Sequence, residues 1–194
     1  MLSAPPPGPE PRPLYLRTAV PDDLDHLAAL RAGAATWLAH AHGSRQWSDP
    51  YDAARGLLWI RHGATVVALL EPDGEPAATV TDRPTGGTRL WTATERARPA
   101  RYLSRFTVDR RHAGQGIGAR LTDWLAWRAA EAGTELLRLN AWTDNTDLHA
   151  YYRSRGWRRV RTVEGVRSGA LFELPAGGPH PPEIHELGPI PLLR

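Results

Sequence analysis

From Leu14 to Val20 the apolar positions alternate as they do in a half-buried strand. Pro21-Asp-Asp then opens a segment in which Leu24, Leu27, Leu30, Ala34, Trp37 and Leu38 recur every three or four residues, the period of an amphipathic helix. His40 to Pro50 breaks that period with glycine, serine and proline, and a second helix is predicted from Asp52 to about His62, with Trp59 facing inward. Thr65–Leu70 and Ala77–Thr81 are β-rich and flank the turn sequence Glu71-Pro-Asp-Gly74, which predicts a hairpin. A further strand is expected over Arg89–Ala93. The run Tyr102–Val108 reads as a strand, and Ile117, Leu121, Trp124, Leu125 and Arg128 mark a helix that Gly133 stops. Leu136–Thr143 is the next strand, Asp144-Asn-Thr-Asp147 caps a short helix through Arg155, and Trp157–Val163 with Val166–Leu174 forms a hairpin around Glu164-Gly165.

This order predicts an α/β fold: a mixed central β-sheet flanked by helices, with the strand before Gly114 near its middle. One domain is expected over residues 14–174. Residues 1–13 carry six prolines and almost nothing to bury, so they read as a disordered leader. Residues 175–194 form a Pro/Gly-rich tail whose Ile184, Leu187, Ile190 and Leu192 could dock on the domain or on a partner.

Composition narrows the chemistry. Cysteine is absent, which removes disulfides, thiol nucleophiles and cysteine metal sites, and agrees with a cytoplasmic protein. The net charge of +3 comes from 24 basic residues, all arginine, scattered among 21 acids. Nucleic-acid binding requires clustering on one face, and only Arg153–Arg161 approaches that, so no nucleic-acid partner is expected. No apolar run reaches the ~18 residues of a membrane span, so no membrane partner is expected. His40-Ala-His42 is too closely spaced to supply two tetrahedral ligands from a helix, and no metal is expected.

The glycine turn Gly114-Gln-Gly-Ile-Gly118, between a strand and a helix, has the design of a phosphate site. Glycines permit positive φ and close backbone approach, and the first helical N–H groups point at an anion. Gly114 to Ala119 satisfies the dinucleotide pattern G-x-G-x-x-G/A, but the acid at the expected distance, Glu135, precedes the second strand rather than following it. A P-loop is excluded because the chain has no lysine.

Phe106-Thr-Val108-Asp-Arg-Arg-His-Ala-Gly-Gln-Gly-Ile-Gly118 resembles the acetyl-CoA motif of the GCN5-related N-acetyltransferases, the GNAT superfamily. Asn145, seven residues ahead of Tyr152, followed by Gly156-Trp157, resembles that family's second motif. The resemblance spans roughly 14–174 and implies a GNAT-like acyl-CoA acyltransferase fold, with acetyl-CoA as co-substrate and a small-molecule amine as acceptor, attacked directly in a ternary complex. A catalytically silent acyl-CoA-binding or regulatory module on the same fold is the alternative, and a homodimer is left open. By resemblance, the backbone of Phe106, Thr107 and Val108 pairs with the pantetheine arm. The turn Ala113, Gly114, Gln115, Gly116, Ile117, Gly118 and Ala119 takes the pyrophosphate, and Asn145 and Tyr152 complete the cofactor site.

Two departures matter. Ala113 stands where the motif has arginine or glutamine, which leaves Arg110 or Arg111 to compensate. Ser104 stands where many relatives carry a glutamate, which leaves the base unassigned. Tyr152 is the expected general acid, since a phenol at about 10 lies near a leaving thiol at about 8.5. Tyr151 is expected to be structural. His149 and Glu95 are base candidates, with Asp144, His40 and His42 beside them. Trp37, His40, Gln46, Trp47 and Trp91 are candidates for the acceptor pocket.

Overall fold

A computed structural model describes residues 12–192; most of the expected leader lies outside them. Eight strands form one sheet, ordered β6-β7-β5-β4-β3-β2-β1-β8. In chain order the elements are β1 (Leu14–Thr18), α1 (Leu24–His42), α2 (Ala53–Arg61), β2 (Thr65–Leu69), β3 (Pro76–Arg83), α3 (Ala93–Ala97), β4 (Ala100–Val108), α4 (Ile117–Glu131), β5 (Leu136–Ala141), α5 (Thr146–Ser154), β6 (Arg158–Thr162), β7 (Ala170–Pro175) and β8 (Ile184–Glu186). The strand before the glycines, β4, is central: antiparallel to β3 and parallel to β5. Among the described residues no helix is long and apolar enough to cross a membrane.

Local chemistry sets most boundaries. Asp23, held by Arg17 at 2.7 Å, accepts the Val20 N–H and launches the turn before α1. Asp52 caps α2 through the Arg55 N–H, and Asn145 caps α5 through the Leu148 N–H. Gly43, at φ +60°, closes α1 in the left-handed conformation.

Three expectations are corrected. Residues 89–93 form no strand, because Thr92 and Glu95 make a reciprocal capping box that starts α3 instead. The first helix runs on to His42, so His40 and His42 lie on α1 rather than in a loop. Trp59 is only half-buried, with Arg83 over its ring at 5.6 Å, and Ile60 is the residue of α2 that enters the core.

The larger core fills the face covered by α4 and α5. Trp124 and Leu121 of α4 are fully buried against Val66, Ala68, Val80 and Leu139. A smaller cluster, Leu27, Leu30, Ile60 and Val67, seats α1 and α2 on the opposite face. The Pro/Gly-rich segment docks on the domain. β8 pairs in parallel with β1, Ile184 and Ile190 join the larger core, and Glu186 accepts the Trp124 indole N–H at 3.0 Å while Arg128 donates to the Ile190 carbonyl. The basic stretch of residues 153–161 is largely neutralised, since Arg155 pairs with Asp123, Arg158 with Glu173 and Arg161 with Glu95.

Removing buried methylenes from this strap should weaken the whole domain. Ile184→Ala should lower the unfolding free energy by about 2–4 kcal/mol in urea titrations, as a truncated core isoleucine does. An unchanged midpoint would mean that the strap is energetically detached.

Candidate active site

The site begins where two neighbouring strands separate. β4 and β5 pair only from Ala100↔Leu136 to Leu103↔Leu139, although β4 continues to Val108 and β5 to Ala141. On its other side β4 keeps β3, but with a bulge: from Thr79↔Thr107 to Thr81↔Ser104, β3 advances two residues while β4 advances three. The extra residue is absorbed at Arg105, whose φ is +50°. Turning the strand away from β5 opens a cavity of about 840 Å³ and leaves the β5-facing backbone of residues 104–108 without a strand partner.

At the end of β4 the glycine turn closes one wall. The Asp109 carboxylate accepts the Arg111 N–H at 2.8 Å and its guanidinium at 2.7 Å, and Arg111, with burial opposing it, holds that carboxyl below its ordinary range. Gly114 and Gly116 have φ of +80° and +71°, and a Cβ built on either would meet nothing within 4 Å. The backbone there thus faces open space that a ligand can approach. Gly116 is the N-cap of α4; its carbonyl takes the Arg120 N–H at 3.0 Å, so the N–H groups of Ile117, Gly118 and Ala119 have no intrahelical partner. The Ser104 Oγ, on the cavity wall, is buried without a hydrogen-bond partner among the described residues.

From the opposite wall, α5 contributes Asn145 and Tyr152. Asn145 both caps its helix and donates to Gln46 Oε1 at 2.9 Å, which ties the loop after α1 to the far side of the cleft. Tyr152 packs its ring against Trp157 and Phe172, at 5.7 and 5.4 Å between centroids. Burial pushes its phenol well above the ordinary value, so it stays protonated throughout the neutral range but loses the close match to a leaving thiol that its unperturbed value offered, because the buried site disfavours the phenolate. Above the cleft, Trp37 takes the Arg110 guanidinium over its face at 3.6 Å and the edge of His42 at 4.7 Å; His42 Nδ1 is 3.4 Å from Asp147. Trp47, at φ +64°, lines the same cavity.

Most of the residues expected from sequence meet here: Phe106, Thr107, Val108, Ala113, Gly114, Gly116, Ile117, Gly118, Ala119, Asn145, Tyr152, Trp37, Gln46 and Trp47 all line the cavity. Five do not. Gln115 is exposed, with its N–H turned to the His112 carbonyl at 3.4 Å. His40 sits on the outer side of α1, bonded to the Thr36 carbonyl. Trp91 is buried edge-on to Tyr102 with Arg138 over its face, a core position. Glu95 belongs to α3, where burial opposes its charge but Arg161 and the Thr92 N–H hold its carboxyl below the ordinary range. His149 is buried against Phe172, its Nε2 bonded to the Trp142 carbonyl at 2.8 Å, and burial lowers its pKa.

Other residues join the site. Arg110, rather than Arg111, reaches the cavity, and Tyr151, expected to be structural, lines its mouth. His42 is the base candidate that the fold retains on the cavity wall. Arg105 was not legible in the sequence, because its placement depends on a bulge that only strand register creates.

Residues 32–157 match the model of the acetyltransferase (GNAT) family. The uncharacterized N-acetyltransferase YesJ of Bacillus subtilis (strain 168) is 32% identical over 162 residues, covering 74% of this chain and 81% of that protein. Among solved structures, a GNAT-family acetyltransferase from Listeria monocytogenes 4b F2365 superposes with a TM-score of 0.68 at 24% identity, over 84% of this chain and 94% of that one. PaiA N-acetyltransferase from Thermoplasma acidophilum, solved in complex with coenzyme A, gives 0.63 at 15% identity, over 82% and 97%. At these identities the solved structures show a shared fold.

The buried imidazole carries a pH signature. A histidine whose folded pKa lies below its unfolded value of about 6.5 binds fewer protons folded than unfolded, so its contribution is intact above that value and is lost as pH falls through it. His149→Gln should therefore flatten the loss of stability between about pH 7.5 and 5.5, read by urea unfolding at both. An unaltered slope would place the titrating group elsewhere.

Proposed function

This chain belongs to the GNAT acetyltransferase family and is an N-acetyltransferase, and on that premise we propose that it uses acetyl-CoA to acetylate a small-molecule amine, which attacks directly within a ternary complex. The observation that carries the reading is the parted pair of strands leading into an open glycine cradle. A stretch of unpaired backbone in β4 meets a helix N-terminus whose N–H groups face open space. These features fit an extended, amide-bearing arm that ends in a pyrophosphate.

Acetyl-CoA, when bound, supplies the thioester acetyl group and a thiolate leaving group. The chain's part is to hold, orient and move protons. The glycine turn takes the pyrophosphate through the free N–H groups of Ile117, Gly118 and Ala119, with Arg110 supplying the charge that Ala113 does not. Residues 104–108 of β4 accept the arm as an added strand, and a backbone N–H of this stretch stabilises the oxyanion. Asn145 bonds the arm from α5. Tyr152, kept protonated by its surroundings, donates to the departing sulfur. His42, steadied by Asp147, takes the proton of the amine. The aromatic walls of Trp37 and Trp47 enclose the acceptor.

If the cradle binds the donor, acetyl-CoA should raise the melting temperature of the protein and Gly116→Glu should abolish the shift, because a side chain would then fill the space before the helix. Equal stabilisation by NADH, with none by coenzyme A, would revive the dinucleotide reading.

Tyr152→Phe keeps the ring and removes the proton. It should lower kcat by roughly one to three orders of magnitude while acetyl-CoA binding persists, which a thiol-release assay would register. Unchanged turnover would return Tyr152 to a packing role.

A further inference from the structure

The sheet face beneath α1 and α2 gathers more positive charge than donor binding uses. Arg105, at the β4 bulge, brings its guanidinium carbon to 6.0 Å from the centre of the Tyr51 ring, and Arg31 of α1 reaches the same ring at 5.8 Å. Arg83 of β3 stands close by with a buried Nε that has no hydrogen-bond partner among the described residues. The acids facing this group are engaged elsewhere. Asp52 is held by Arg55 at 3.5 Å and by the first turn of α2, and Asp82 by Arg101 at 2.9 Å. Burial, with Arg55 and Arg31 adding to it, holds the Arg105 guanidinium below its ordinary value against the pull of Tyr51 and Asp52. Burial, Arg105 and Arg55 do the same to Arg83. This mutual repulsion is what an anion seated among the arginines would relieve.

The space beside Arg105 limits that anion. Arg105 and Thr107 line both the main cavity and a recess of about 10 Å³, whose other walls include Arg31, Tyr51 and Thr79. Such a volume holds about one water-sized group. It admits a carboxylate oxygen more readily than the oxygens of a phosphate, and a guanidinium fork matches a carboxylate geometrically.

We infer that the acceptor is a primary amine that also carries a carboxylate, held by Arg105 with Arg31 beside it, so that the amine is presented to the parted strands. This rests on the acetyl-transfer reading above and adds to it the charge of the acceptor. A cationic polyamine would meet like charge at the same place and be rejected.

The test compares the twenty amino acids, their carboxamides and spermidine. It reads coenzyme A release, thermal stabilisation by each amine without donor, and acetyl-CoA binding. The wild type should prefer at least one free acid over its carboxamide by roughly tenfold or more in kcat/KM, and that acid, not its carboxamide, should raise the melting temperature. Arg105→Met should bring the acid-to-carboxamide ratio close to one while acetyl-CoA still binds. Arg31→Met should shift the ratio the same way to a smaller extent and serves if the first variant does not fold. Carboxamides or spermidine used as well as the acids, or an acid preference that survives both substitutions, would overturn the inference and leave acetyl transfer standing. Acetyl-CoA binding with no amine turned over would overturn the transfer reading and this inference with it.

Discussion

Everything at the site follows from one unmet requirement, that backbone N–H and C=O groups removed from water need partners. Beyond Leu103 the central strand has lost β5, and its bulge at Arg105 prevents the two strands from closing again. A sheet normally fills such a gap with another strand, and here the geometry leaves room for a ligand that can act as one. The glycine turn lies at the outer end of that gap and α5 along its far wall, so the turn, α5 and the aromatic loop after α1 converge on the same few residues of β4.

The closed end of the cleft is built to hold. Arg101 pairs with Asp82 at 2.9 Å across β3 and β4, and Arg138 of β5 reaches Glu173 of β7 and the Tyr102 hydroxyl at 3.0 Å, all nearly inaccessible to water. Buried pairs of this kind add little net stability, but a register slip that broke one would strand a charge in the core. The strands are therefore pinned where they meet and free where they diverge. The two faces differ in the same sense. The α4 face is largely apolar, with the Asp82–Arg101 pair as its buried ionic exception, and is sealed by the β8 strap, whereas the face under α1 and α2 carries Thr65, Thr79, Thr81, Thr107 and, among the described residues, the arginines Arg31, Arg83 and Arg105 without an ion pair. Apolar packing is concentrated on the side of α4, which the glycine turn opens, and side-chain hydroxyls are concentrated on the side under α1 and α2.

Much of this was written in the chain. Apolar periodicity located the strands and helices, because burial on one face imposes a period of 2 or 3.6 whatever the partner element is. Local hydrogen-bonding residues marked where helices start, as at Asp52 and Asn145, and Gly114 and Gly116 announced a turn that needs positive φ. The glycine turn was legible because a backbone that needs positive φ demands glycine at particular positions within one short segment. Thr92 and Glu95 show the limit of the method. Their capping box was present in the sequence, but the apolar residues around it suggested a strand.

What the sequence determined by itself was therefore local: the elements, the glycine turn and the helix carrying Tyr152, each specified by residues within a few positions of one another. Tertiary structure decided what lies opposite what. It buried His149 and Trp91 in the core, turned Glu95 into a partner of Arg161, kept His42 and not His40 on the cavity wall, and set Arg105 into a bulge. Those outcomes depend on strand register and on which helix face meets the sheet. Both are fixed by contacts between residues distant in the chain, so periodicity and spacing could not reveal them.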